Sequence, residues 1–345
     1  MQMLNKGTSR LISLRNIAVI AATLAFLLPV RAQDGYEPDR RVRGTLRVWG
    51  SAQMQELMRL WEAGFRQFQP EVRFEEKLNG TVSAMGGLYA GAADLALMGR
   101  DIWPEEAMAY KQTTGATPTG VDVAMGSFDV PTKADALMIF VNRDNPLSSI
   151  RFDQLAHLFE CGDTGSPKWS DAGVAGQMGS EPAHLYGYLP ENAASRFFRA
   201  RVLHGPGWNC GYRGFGNLEQ TGKPRIDAGR QIIEALSTDP LGIAIANIHY
   251  ATPQVKVLAL SEGPGLPYVV ADRSDYIAGR YPLTRTVSIY INCSPAHGGC
   301  SPAALEFLRY VLSRQGQQDV SREGAYQPLA ATHLAAEWRK LDTMR

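Results

Sequence analysis

Gly86-Gly87-Leu88-Tyr89-Ala90-Gly91-Ala92-Ala93-Asp94-Leu95-Ala96-Leu97-Met98-Gly99-Arg100-Asp101 is the stretch whose reading decides the fold. Its first half is a helix of small residues. Leu95 to Met98 then reads as a short apolar strand, and Gly99-Arg100-Asp101 as an exposed polar turn at the strand's carboxyl end. Such turns are where open α/β sheets hold ligands.

Upstream of this stretch, Thr45-Leu46-Arg47-Val48-Trp49 is predicted as a first strand. The helix that follows carries apolar residues at Met54, Leu57, Met58, Trp61, Phe65 and Phe68, and these spacings of three and four make one buried face. Pro70 ends it, and Val72 to Lys77 alternates as a second strand. Downstream, Val121 to Met125, Ala136 to Asn142, His184 to Tyr188, Gly242 to Ala246, Val255 to Leu260 and Val287 to Asn292 read as strands. Helices are expected near Phe152 to Phe159, Ser195 to Leu203, Asp227 to Leu236 and Ala303 to Ser313, and a long loop over residues 161 to 182. Strands alternating with helices predict parallel pairing in an α/β sheet.

The chain of 345 residues exceeds what one core usually serves, so two lobes are expected, and 45% hydrophobic residues can fill both. Lys6, Arg10 and Arg15 precede the apolar run Ile17 to Leu28, and Val30-Arg31-Ala32 offers a small-residue cleavage site. That is the pattern of a secretory signal over residues 1–32, with a run too short to span a bilayer. An uncleaved anchor is the rival reading. Removing residues 1–32 takes away four basic side chains and no acidic one, turning the formal charge from +1 to −3. No nucleic-acid partner is expected on that balance.

Cys161, Cys210, Cys293 and Cys300 form an even set in a chain read as exported, which favours disulfides. Of three possible pairings, Cys293 with Cys300 is favoured, because Pro295 and Gly298-Gly299 can turn the chain back between them; Cys161 with Cys210 follows by elimination. No Cys-x-x-Cys pair accompanies them, and the histidines at 157, 184, 204, 249, 297 and 333 are scattered, so no metal or cofactor is expected.

Several segments in order resemble the phosphate-binding proteins that serve ABC importers. These are Ala93 to Asp101 with Pro104-Glu105-Glu106, Asp135-Ala136-Leu137 to Asn145-Pro146, Leu155 to Phe159, Asp239 to Ala244, Tyr281-Pro282-Leu283-Thr284-Arg285 to Asn292, and Phe307 to Gln317. The resemblance covers about residues 45 to 330. It implies a periplasmic-binding-protein (type II) fold of mixed sheets flanked by helices, with two lobes joined by hinge strands. It divides the chain into a linker over 33–44, a first lobe over 45–130, a second over 131–250, and a return to the first with C-terminal helices over 251–345.

The implied function is an exported protein, periplasmic or secreted, that captures phosphate or a related oxyanion for an ABC permease as a monomer. Physical chemistry supports a metal-free oxyanion site, since helix N-termini offer unpaired N–H groups and partial positive charge. Ser51 and Thr81 stand at two such helix starts, and Arg100 brings a guanidinium suited to bidentate contact. Each has a plainer reading: Ser51 as a cap, Thr81 in an Asn-Gly turn, Arg100 paired with Asp101, Glu105 or Glu106. Asp135 and Arg285 fall at family positions too, and tying hinge strands together would account for them.

The second lobe departs from the family. Where phosphate binders carry an Arg and a Ser-Gly-Thr turn, Tyr188, Asn192 and Ala194 stand at the arginine, serine and threonine positions, with Glu191 alongside. Asn192 remains as a cap and donor. The departure keeps a second function open, a module with an altered ligand that acts in sensing or protein contacts. A hydrolase built on Ser51 or Ser195 is disfavoured, because neither serine has a Gly-x-Ser-x-Gly elbow or an acid–base set.

Overall fold

A computed structural model describes residues 35–160, 166–204, 207–208, 211–219 and 221–344. The expected signal sequence and the expected Cys161–Cys210 pairing therefore lie outside the described residues. Among those described, no helix is long and apolar enough to cross a membrane.

The chain opens with β1 (Gly44–Gly50), α1 (Gln55–Phe68), β2 (Val72–Lys77), α2 (Thr81–Tyr89), β3 (Leu95–Met98), α3 (Pro104–Thr114) and β4 (Thr119–Met125). β1 pairs in parallel with β2 and β3, as the alternation predicts. The apolar stripe of α1 buries Leu57, Met58, Trp61 and Phe65 completely, and Leu46 and Val48 of β1 are equally enclosed. Aromatic side chains cluster within this core: Phe65 packs on Phe307 with ring centres 5.4 Å apart. Such pairs contribute about 0.5–1.5 kcal/mol beyond the area they bury.

The second lobe begins with β5 (Met138–Asn142), β6 (Ser149–Arg151) and α4 (Phe152–Phe159). The loop expected over 161–182 is more ordered than its composition suggests, because Trp169 is fully buried in a short 3-10 turn and α5 (Gly176–Ser180) follows. Then come β7 (His184–Tyr188), α6 (Ala193–Val202), β8 (Tyr212–Phe215), α7 (Ala228–Ser237), β9 (Gly242–Ala246), β10 (Val255–Val257), β11 (Ala259–Ser261) and α8 (Arg273–Ile277). The sheet order is β10-β5-β9-β7-β8; β9, β7 and β8 run parallel, and β5 lies antiparallel to β9.

The return to the first lobe comes later than the expected residue 251. β10 pairs with β5, and Leu258, Leu260, Tyr276, Tyr281 and Leu283 all lie in the second core. β12 (Thr286–Ile291) is the strand that re-enters the first sheet, antiparallel between β3 and β4, to give the order β2-β1-β3-β12-β4. α9 (Pro302–Leu312), α10 (Arg314–Glu323) and α11 (Ala331–Asp342) then cover that lobe. Cys293 and Cys300 form the favoured disulfide.

Two segments cross between the lobes, residues 126–137 and 283–286, and they are bonded to each other: Gly126 N donates to Arg285 O at 2.8 Å and Leu137 N to Leu283 O at 3.2 Å. The buried amide of Asn247 adds a third tie, donating to the carbonyls of Phe128 and Ala136 at 2.9 and 2.8 Å.

An ionic cluster fastens α11 to the first sheet. His333 Nε2 lies 2.9 Å from Asp122 and 3.6 Å from Glu337, and Lys340 Nζ lies 2.6 Å from Glu337. The bond to Asp122, then that to Glu337, pull the His333 pKa up to about 9 against the opposing effect of burial. A raised folded-state pKa means the stabilisation is complete below the unfolded value of about 6.5 and fades as pH rises through about 9. We expect the urea midpoint to fall between about pH 6 and about pH 9.5, and His333→Gln to flatten that decline. Equal slopes in both proteins would remove His333 as the source.

Candidate functional site

The carboxyl ends of β1, β3 and β7 and the starts of α2, α6 and α7 meet at a cleft of about 380 Å³ between the lobes. All four residues expected from the sequence, Ser51, Thr81, Arg100 and Asn192, line it.

Ser51 is 3% exposed, and its Oγ accepts from Gln53 N at 3.3 Å, so it caps a helix start and borders the cleft as well. Thr81 is the first residue of α2, and Gly80 before it adopts φ +126° while donating to Gly50 O at 2.9 Å. A glycine is required there because side-chain-bearing residues are strained at that φ. Gly99 works by closeness instead: a Cβ on it would lie 2.9 Å from Ser51 Oγ and 3.4 Å from Thr81 Oγ1. The bare glycine lets both hydroxyls gather against the end of β3.

Arg100 is 6% exposed and held by one of the alternatives the sequence left open. Its Nη1 and Nη2 donate to the two oxygens of Glu106 at 2.8 and 2.7 Å, and Nη1 also donates to Asp101 O at 2.9 Å. Glu106 accepts from Trp103 N at 2.9 Å as well. The ion pair is buried rather than superficial, and it offsets most of the charge that Arg100 would bring to an anion.

In the second lobe, Asn192 Oδ1 accepts from Ala194 N at 2.8 Å, capping α6 and leaving the side-chain NH2 for the cleft. Ser195 is committed elsewhere, its hydroxyl donating to Tyr188 O at 2.9 Å. α7 starts beside this turn. Asn217 Oδ1 accepts from Ala228 N at 2.9 Å, and the Tyr250 ring packs so close to Gly229 that a Cβ there would lie 2.2 Å from it. Burial pushes the Tyr250 phenol up to about 12, so it stays a neutral donor.

Arg285 and Asp135 also line the cleft. Arg285 is 6% exposed, yet its guanidinium makes no hydrogen bond or ion pair with any described residue; it lies 5.6 Å from the centre of the Phe197 ring. Burial raises the Asp135 pKa, and the charge of Arg285 opposes that rise. The sequence located both residues within family segments without indicating that Arg285 would be left unpaired, because that depends on which carboxylates the hinge brings near. Thr132 and Ala134 on the crossing segment have φ of +74° and +50°. Non-glycine residues rarely adopt such values, and strain of this kind gathers at sites and hinges.

The lobes touch at the mouth of the cleft. Arg196 of α6 reaches across to Glu105 at 3.3 Å and lies 4.1 Å from the centre of the Trp103 ring; Arg100 lies 3.6 Å from the same ring. We expect Arg196→Ala to weaken cleft binding about 2- to 30-fold, the range that a cation–π contact of about 0.5–2 kcal/mol gives, with little change in melting temperature. Titration calorimetry and a thermal melt separate the two, and unchanged affinity would exclude a role in closure.

Two lobes with hydrogen-bond donors and a cation gathered at the cleft between them define a ligand-binding protein. The family described as the PBP superfamily domain matches residues 36–315. The chain is 30% identical over 311 residues to the phosphate-binding protein PstS of Pseudomonas aeruginosa, covering 86% of each chain. Among solved structures it resembles PstS from Borrelia burgdorferi (TM-score 0.53, 14% identity, 83% of this chain and 99% of that one). It also resembles an ABC-type phosphate transport receptor from Vibrio cholerae (TM-score 0.51, 15% identity, 82% and 99%). The chain belongs to the PBP superfamily, as a divergent PstS-like member. It is a binding protein and not an enzyme.

Proposed function

We propose that this protein is the exported binding component of an ABC-type importer and that it captures phosphate or a related oxyanion between its lobes. The observation that carries the reading is Arg285, a nearly buried cation that borders the cleft with no carboxylate bonded to it, Asp135 and Asp101 acting on it only through space. Leaving a charged group buried and unpaired is costly, and a bound anion removes that cost. Ser51, Thr81 and the NH2 of Asn192 supply neutral donors around it, and the start of α6 adds the favourable end of a helix dipole. Arg100 is assigned a supporting role, positioned by Glu106. Resemblance to a phosphate-binding protein and to a phosphate transport receptor supports the same ligand class. Closure is assigned to the paired crossing segments, with Arg196 meeting Trp103 as the lobes come together.

Asp135 and Glu191 also line the cleft, so an oxyanion there meets carboxylates as well as cations. A ligand that keeps a proton can donate it to a carboxylate, whereas sulfate at neutral pH has none to give. Calorimetry on the protein, stripped of ligand by partial unfolding and refolding, is expected to detect phosphate and to find sulfate far weaker. Arg285→Met is expected to cost about 3 kcal/mol, roughly 100-fold in Kd, with Ser51→Ala and Thr81→Val each costing about five- to tenfold. Phosphate affinity that survives Arg285→Met would sink the reading.

A further inference from the structure

We propose that the ligand is an oxyanion bearing an organic arm, a phosphomonoester or phosphonate whose arm carries hydroxyl or ammonium groups, rather than bare inorganic phosphate. This rests on the reading of the cleft as an oxyanion site and deepens it.

Size is the first argument. A tetrahedral oxyanion of five heavy atoms fills roughly the room of two or three waters, about 60–90 Å³. The cleft holds about 380 Å³, within the range of pockets for small organic ligands. That volume is present although the lobes are already in contact across the mouth, through Arg196 with Glu105 and with the Trp103 ring.

The second argument is the scarcity of donors at the start of α6. Tyr188, Asn192, Ala193 and Ala194 line the cleft there and bring no cation to it. Asn192 spends its oxygen on capping α6, so one NH2 group remains from that turn. An esterified or carbon-linked oxyanion has an arm in place of the P–OH and so one fewer polar group to satisfy at the head, and methyl groups at Ala193 and Ala194 suit an arm better than an anion.

Polar chemistry continues away from Arg285. Asp135 lies within electrostatic range of Arg285, Tyr188 and Tyr250, and Tyr250 in turn lies within range of Asp227 and Arg225. The head group would sit at Arg285 between Ser51 and Thr81, and the arm would pass Tyr250 to the start of α7. There Asp227 and the NH2 of Asn217 line the cleft, and the Asp227 carboxylate is bonded to the exposed Arg225 at 2.9 Å. Glu191 disfavours a second anionic group, and both it and Asp227, whose charge Arg225 partly offsets, can accept from hydroxyl or ammonium donors.

The test is competitive calorimetry on the purified, ligand-stripped protein with inorganic phosphate, methylphosphonate, 2-aminoethylphosphonate and glycerol 3-phosphate. The expected result is that at least one ligand with a polar arm binds about tenfold or more tightly than inorganic phosphate and than methylphosphonate, and that Asp227→Asn lowers its affinity about tenfold. Inorganic phosphate binding as tightly as every organic ligand would overturn the proposal and leave the oxyanion site standing. Failure of all four, with Arg285→Met indistinguishable from the parent, would overturn the oxyanion site itself.

Discussion

A guanidinium enclosed at the junction of two lobes, with no carboxylate in bonding reach, is the constraint around which this molecule is arranged. Arg285 sits at the start of β12, the strand that returns the chain to the first sheet, and its backbone carbonyl is bonded to Gly126 on the other crossing segment. The same residue therefore joins the two crossings through its main chain and faces the cleft through its side chain. Elsewhere the fold pairs its buried cations: Arg100 has Glu106, and Arg309 has Asp39 at 2.7 Å. Leaving Arg285 unmatched makes the hinge region the place where an added anion contributes most.

Around that cation the backbone supplies what side chains cannot. Parallel strands deliver their carboxyl ends to one edge of each sheet, and the next helix starts there, so N–H groups converge on the cleft without any special residue. Glycines then decide how closely the elements approach. Gly99 admits two hydroxyls, and Gly229 admits an aromatic ring. Either glycine replaced by alanine would force apart the groups that line the cleft.

The legibility of this architecture in the sequence follows the same physics. α1, β3, β7, β9 and α9 were readable because burial on one face or both leaves a periodic or unbroken apolar pattern. β6 and β8 were not: with three and four residues of mixed polarity they carry neither a period nor the unbroken apolar run that marks β3, and Trp169 gives order to a segment whose composition resembles a loop. Residues 255–283 were assigned to the wrong lobe because strand order is a property of pairing, and an apolar run such as Val255 to Leu260 carries no label for the sheet it joins. Ser51, Thr81, Arg100 and Asn192 all reached the cleft because their positions follow from strand ends and helix starts. The Asn192 cap was legible as well, but which of Asp101, Glu105 and Glu106 holds the Arg100 side chain was not, since that choice depends on rotamers.

The second-lobe wall of the cleft is short of cations at the start of α6, where Tyr188, Asn192, Ala193 and Ala194 line it, while Tyr250 adds an aromatic surface. A cleft that held no anion would be expected to lack a buried cation, because a guanidinium without a bonded partner is costly to the folded state. Arg285 remains enclosed, and Asn217, Asp227 and Tyr250 organise the far end of the cleft around the start of α7. A costly cation beside an ordered polar wall argues for a site shaped to an anion that extends along that wall.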